Sequence, residues 1–187
     1  MHRELEPGTT ALVMLIPEAD AVVGSFRSSY DPVAPQGMPA HVTILFPFLR
    51  APELSDAVER KLRRHFTGFG QFRYEFRRTR SFPGVLILVP EDDVPFLELM
   101  LATSELFPDI IPYGDATLKP TPHLTVAHVT SQEELELIRE SVEGALEEQG
   151  AIRGVAEQVT LIRYSGAQWE SVVALPLGGV RLGHHRL

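Results

Sequence analysis

Two short segments, His41-Val42-Thr43-Ile44 and His123-Leu124-Thr125-Val126, repeat one pattern about 80 residues apart, each after a proline-marked loop and each opening an apolar run. In an extended strand residues i and i+2 point to the same face, so each segment offers one imidazole beside one hydroxyl. Histidine titrates near neutrality, so one ring of a pair can be neutral and accept a proton while the other is charged and donates one. Displacement at phosphorus uses both roles: a base activates water or a ribose hydroxyl, and an acid protonates the departing oxygen. The hydroxyls of Thr43 and Thr125 are suited to hydrogen-bond the non-bridging phosphate oxygens as charge builds there. That chemistry requires neither a metal nor a nucleotide cofactor.

The tripeptide alone does not select these residues, because His65-Phe66-Thr67 and His128-Val129-Thr130 also fit it. Context separates the four. His65 falls at the end of an expected helix that stops at Gly68. His128 lies five residues after His123, so in a continuous strand it faces the opposite side. Only His41 and His123 combine an upstream proline, which suits a loop feeding a strand, with an apolar residue after the threonine. Three other readings compete. A metal site lacks a nearby carboxylate at ligand spacing. A serine hydrolase lacks the Gly-x-Ser-x-Gly elbow. The third makes both histidines satisfied residues at the edge of a core, with threonine at good strand positions.

The elements that must position the motifs follow from the hydrophobic pattern. Thr10 to Ile16 is a short apolar strand, and Glu18 to Tyr30 a helix with Ala19, Val22, Val23 and Phe26 at helical spacing. A proline-rich loop from Asp31 to Ala40 leads to the first motif strand, His41 to Leu49. A helix is expected from Pro52-Glu53 to about Phe66. Gln71 to Ser81 alternates aromatic and charged residues as a one-faced strand does. Past Arg77, within the same run, Arg78 and Arg80 fall on the aromatic phase, so the strand leaves the core there or a bulge resets its register. Val85 to Val89 is a short strand, and Val94 to Leu106 a helix. The second motif strand runs from His123 to Val129. Ser131-Gln132-Glu133-Glu134 fits a capping box opening a helix to about Glu148. Val155 to Tyr164 and Glu170 to Leu177 read as two closing strands.

From Val85 the order of elements repeats the order before it. The economical reading is an α+β domain over residues 1–187 with two lobes, about 10–84 and 85–177, free to exchange strands, and a tail from 178 to 187. Each lobe contributes one motif strand to a shared cleft.

The chain as a whole narrows the partners. Its 187 residues carry 44% apolar and 22% charged residues, ordinary for a globular protein. A net charge of -8 disfavours broad binding to long nucleic acid, which normally needs a basic surface, and leaves a short RNA end or a nucleotide. The absence of cysteine removes disulfides, thiolate metal sites and a cysteine nucleophile. No apolar stretch approaches a membrane span, and the first residues, Met1 to Glu6, carry no apolar signal core, so a cytoplasmic location is expected. No protein partner is indicated.

His41-Val42-Thr43-Ile44-Leu45-Phe46-Pro47-Phe48 and Pro122-His123-Leu124-Thr125-Val126-Ala127 are where the chain resembles the two-histidine (2H) phosphoesterase superfamily, and within it the 2′-5′ RNA ligase and RNA 2′,3′-cyclic phosphodiesterase group. The resemblance implies a duplicated bilobal α+β fold, two antiparallel sheets flanking a central cleft with helices on the outside, with His41 and His123 as the catalytic pair and Thr43 and Thr125 as phosphate binders. It implies hydrolysis of a 2′,3′-cyclic phosphate on a nucleotide or RNA end, 2′-5′ ligation in the reverse sense, and no cofactor. A non-catalytic RNA-end or nucleotide-binding module using the same cleft is the alternative. Further substrate-binding candidates are Phe48 and Phe82 for stacking a base, Arg78 and Arg80 for a flanking phosphate, and Tyr113 and Lys119 from the loop before the second motif. Arg163 and Tyr164 near the last hairpin are minor candidates.

Overall fold

The computed structural model of the chain describes residues 5–179. Residues 1–4 and, of the expected tail 178–187, residues 180–187 lie outside the described residues. Two sheets form from strands β1 (Thr10–Leu15), β2 (His41–Leu45), β3 (Phe72–Phe82), β4 (Val85–Pro90), β5 (Leu124–His128), β6 (Ile152–Ala156), β7 (Gln158–Tyr164) and β8 (Trp169–Pro176). Helices α1 (Ala19–Tyr30), α2 (Asp56–Phe66), α3 (Val94–Leu106) and α4 (Gln132–Gln149) connect them.

The first sheet runs β2-β1-β7-β8 and the second β5-β4-β3-β6, with every neighbouring pair antiparallel. The fold is therefore α+β with two four-stranded sheets, and each motif strand occupies the edge of its own sheet. The second sheet takes four consecutive strands, β3 to β6, whereas the first is assembled from two separated stretches of chain. Strands β7 and β8, from the C-terminal part, complete the sheet begun by β1 and β2. The helices interlace as well: α1 packs on β5 and α4, whereas α3 packs on β2. One continuous apolar core results, drawing Leu12 and Val42 from the first sheet together with Phe76, Leu86 and Leu124 from the second. Helix α3 carries Phe96 into it, with ring centroids 5.0 Å from Phe72, 6.5 Å from Tyr74 and 6.2 Å from Phe76.

Local chemistry accounts for where elements start and stop. Ser131 accepts the Glu134 N–H at 3.2 Å and so opens α4. Helix α2 opens at Ser55, which accepts from the Val58 N–H at 3.3 Å, rather than at Pro52; Ala51–Glu53 is a separate 3-10 turn, because Leu54 and Ser55 are extended. Acidic residues in the first turn of α2 and Arg63, Arg64 and His65 in its last turn complement the helix dipole. Strand β2 stops at Leu45 rather than Leu49, just ahead of Pro47, which has no N–H to give a ladder.

Two expectations about strands resolve differently. In β3 the register passes from Phe76 opposite Pro90 to Arg78 opposite Val89, so Arg77 is an extra, bulged residue, and the strand continues with its phase reset. The single strand expected from Val155 to Tyr164 is two strands. Residues 152–156 pair with β3 in the second sheet, and after Glu157 the chain crosses to pair with β1 in the first. No glycine or proline marks that crossing.

The β3–β4 turn depends on one backbone geometry. Gly84 has φ +77°, and a Cβ there would lie 2.8 Å from the Val129 carbonyl oxygen. Gly84→Ala is expected to destabilise the fold by about 1–3 kcal/mol, read as a lowered urea midpoint with unchanged slope.

Candidate active site

The motif strands are built alike. In β2, Val42 and Ile44 point into the core while His41 and Thr43 stay half-buried on the other side. Around β5, Leu124 and Val126 are buried while His123 and Thr125 stay half-buried. Each strand then breaks its alternation at the same place. Between β1 and β2 the register passes from Thr43 opposite Val13 to Leu45 opposite Leu12, leaving Ile44 extra. Between β4 and β5 it passes from Thr125 opposite Ile87 to Ala127 opposite Leu86, leaving Val126 extra. A bulge therefore follows the threonine in both copies, and bulges re-aim neighbouring side chains at sheet edges.

The two rings are also held alike. His41 Nδ1 lies 2.8 Å from the Pro39 carbonyl oxygen, and His123 Nδ1 lies 2.7 Å from the Thr121 carbonyl oxygen, in each case two residues upstream. A carbonyl only accepts, so Nδ1 must carry the proton, and a neutral ring then keeps its lone pair on Nε2. Strands β2 and β5 approach each other, and His123 lies within electrostatic reach of His41. Burial of the His41 ring lowers its pKa to about 4; the Pro39 hydrogen bond opposes that shift, Arg27 reinforces it, Asp31 opposes it and His123 reinforces it. His41 is consequently neutral at pH 7 and fit to accept a proton.

Around this pair the other candidates divide. Tyr113, about half exposed, sits in a left-handed conformation at φ 54° with its N–H on the Phe46 carbonyl at 2.7 Å. Its phenol hydrogen-bonds Thr43, and its ring lies 5.8 Å from Phe46. Arg80 stands opposite Ile87, which stands opposite Thr125, so all three share one face of the second sheet. Arg80 forms no ion pair among the described residues, whereas Arg78 is paired with Glu91 at 2.8 Å. Phe48 is in the core, 5% exposed and edge-on to Phe107 at 5.0 Å, which leaves no free face for a base. Phe82 is exposed at the β3–β4 turn, and Lys119 is exposed on the loop before the second motif. Arg163 is paired with Glu170 at 3.1 Å, and the Tyr164 ring packs 5.6 Å from Trp169.

The other histidines lie elsewhere. His65 Nε2 lies 3.1 Å from Thr103 Oγ1, between helices α2 and α3. The bulge at Val126 leaves His128 half-buried instead of facing the core as a continuous strand would have it. It lines a hollow of about 860 Å³ with Tyr30, Asp31 and Gly84, to which neither His41 nor His123 contributes. Sequence reasoning did not single out Phe46, Trp169 or the buried Arg27–Asp31 pair beside the first motif. Arg27 lies four residues after Val23 on the buried stripe of α1, and a charged residue on that stripe was the available signal. Among the described residues no group of three or more His, Asp or Glu is arranged to hold a metal, and no helix is long and apolar enough to cross a membrane.

A family model described as the 2′-5′ RNA ligase superfamily matches residues 16–168. No curated protein matches the chain. Among solved structures it is similar to Escherichia coli LigT complexed with 3′-AMP, at 14% identity and TM-score 0.59 over 92% of this chain and 99% of that one. TT0787 of Thermus thermophilus is similar at 17% identity and TM-score 0.59, over 92% of this chain and 100% of that one. A structure described as a phosphoesterase gives 13% identity and TM-score 0.57, over 92% and 99%. At these identities the likeness is one of fold.

Proposed function

This chain belongs to the 2′-5′ RNA ligase superfamily, and we propose that within it the protein is a metal-independent phosphodiesterase opening the 2′,3′-cyclic phosphate of a nucleotide or short RNA end. The observation that carries the reading is the matched pair of edge strands, each with a histidine held by Nδ1 on its own upstream carbonyl and a threonine beside it. His41 Nε2 takes a proton from water as the water oxygen bonds to phosphorus. His123, in its protonated form, gives a proton to the departing ribose oxygen, and a phosphomonoester is left. Thr43 and Thr125 donate to the non-bridging oxygens, where negative charge grows. Tyr113 steadies the Thr43 hydroxyl from the loop side, and Arg80 offers a guanidinium to a neighbouring phosphate. With a ribose hydroxyl in place of water, the same groups join RNA ends: His41 takes the hydroxyl proton as its oxygen bonds to phosphorus, and the departing ring oxygen takes a proton from His123. Escherichia coli LigT has been crystallised with 3′-AMP and with phosphate, which supports a phosphate-centred cleft in this fold.

Incubation with a nucleoside 2′,3′-cyclic phosphate in excess chelator is expected to give the monoester at undiminished rate. Binding without turnover would favour the non-catalytic module. Turnover abolished by chelator and restored by a divalent metal would overturn the metal-free mechanism.

A further inference from the structure

The buried stripe of α1 includes one charged residue, Arg27. Its Nε and Nη2 donate to Asp31 Oδ2 at 3.2 and 2.9 Å, and Nη2 also donates to the Met38 carbonyl at 3.0 Å. Asp31 Oδ1 in turn accepts the Val33 N–H at 3.2 Å. The two side chains are 4% and 1% exposed. A buried ion pair contributes little net stability, and apolar residues of similar volume often replace one without loss, so stability alone is a poor account of this one.

Its placement supplies another account. The loop from Asp31 to Ala40 delivers His41, and its last three carbonyls are all occupied. Met38 accepts from Arg27, Pro39 accepts from the His41 ring, and Ala40 accepts from the Ile16 N–H at 2.8 Å. The ion pair thus grips the residue immediately before the carbonyl that sets the histidine tautomer. We propose that Arg27 and Asp31 are positioning residues for His41, fixing the backbone at Met38 so that the Pro39 carbonyl holds Nδ1–H and Nε2 faces the cleft. This rests on the reading of His41 as the base, although the tautomer can be observed without any substrate. The charged groups acting on the His41 ring are Arg27 on α1, Asp31 at its C-terminal cap and His123 ahead of β5. The guanidinium favours the neutral ring and the carboxylate favours the charged one.

The test is nitrogen-15 NMR of histidine-labelled protein beside the pH profile of kcat/KM. In the wild type His41 is expected to be the Nδ1–H tautomer. Arg27→Met with Asp31→Leu removes both charges and the grip on Met38. It is expected to give a mixture of tautomers and a fall of about 100-fold in kcat with KM little changed. Asp31→Asn keeps a hydrogen-bonding side chain but leaves the guanidinium uncompensated, and is expected to move the His41 titration to lower pH. A folded double variant with the wild-type tautomer and wild-type kcat overturns the proposal. If the double variant does not fold, an unmixed Nδ1–H tautomer and wild-type kcat in Arg27→Gln, too short to hold Asp31 and the Met38 carbonyl together, overturn it. A wild type that shows the tautomer but turns over no cyclic phosphate counts against the catalytic reading alone.

Discussion

His41→Ala and His123→Ala are each expected to lower kcat for cyclic-phosphate hydrolysis by about 10²–10⁴-fold, the usual worth of a positioned acid or base, while circular dichroism and melting stay close to wild type. On the proposed mechanism the two groups act in one step, so the double variant should be scarcely slower than the worse single one. A loss confined to one variant would remove the paired mechanism. The pH dependence gives an independent reading. On the proposed mechanism His41 must be neutral to accept a proton, and burial lowers its pKa to about 4, so the acid limb of kcat/KM set by this ring should fall near pH 4, well below an ordinary histidine. The same shift bears on stability. The folded value lies below the ordinary histidine value of 6.5, so between the two the unfolded chain binds more protons. Stability from this group is therefore complete above about pH 6.5 and is lost as pH falls towards 4. Urea unfolding of His41→Ala should show a shallower loss across that window.

Phe96→Ala is expected to cost about 3–5 kcal/mol, the usual range for a fully buried aromatic, against a total stability of about 5–15 kcal/mol. Phe96 is 0% exposed, and its ring meets three aromatic side chains of β3 while its helix also packs on β2. The cavity would open where the second sheet meets the helix that supports the first motif strand. Leu101→Ala, on the same helix but half exposed, should change the urea midpoint by less than about 0.5 kcal/mol in stability. Equal effects from the two would mean that helix propensity rather than packing governs α3.

The parts of this architecture that alternate in hydrophobicity were legible in the sequence. The helix Val94–Leu106 falls where its pattern places it, and the Ser131 cap opens α4 as its spacing predicts. The displaced phase of Arg78 and Arg80 betrayed the bulge at Arg77 because charge on an aromatic face is conspicuous. The bulges at Ile44 and Val126 were silent for the opposite reason. Each adds one apolar residue beside another, and Ile44-Leu45 or Val126-Ala127 reads equally well as a strand end. The crossing at Glu157 was hidden because the chain stays extended as it leaves one sheet for the other, so local preference does not change. Phe48 and Arg27 show the limit of residue type as a guide. An aromatic near a motif went to the core, and an arginine on an apolar stripe went there too, each decided by contacts from distant segments.

The insertion of one sheet within the chain of the other, and the helices that cross between them, also bear on how a ligand would be met. A cleft between separately built lobes can breathe about a hinge, and its ligand must then supply the free energy of closing it. Here α1 and α3 each reach across to the opposite motif strand, and a single core runs beneath both. The spacing of the two motif strands is thus set by one shared core rather than by a hinge, so on the proposed function ligand binding would not have to supply the free energy of closing two lobes.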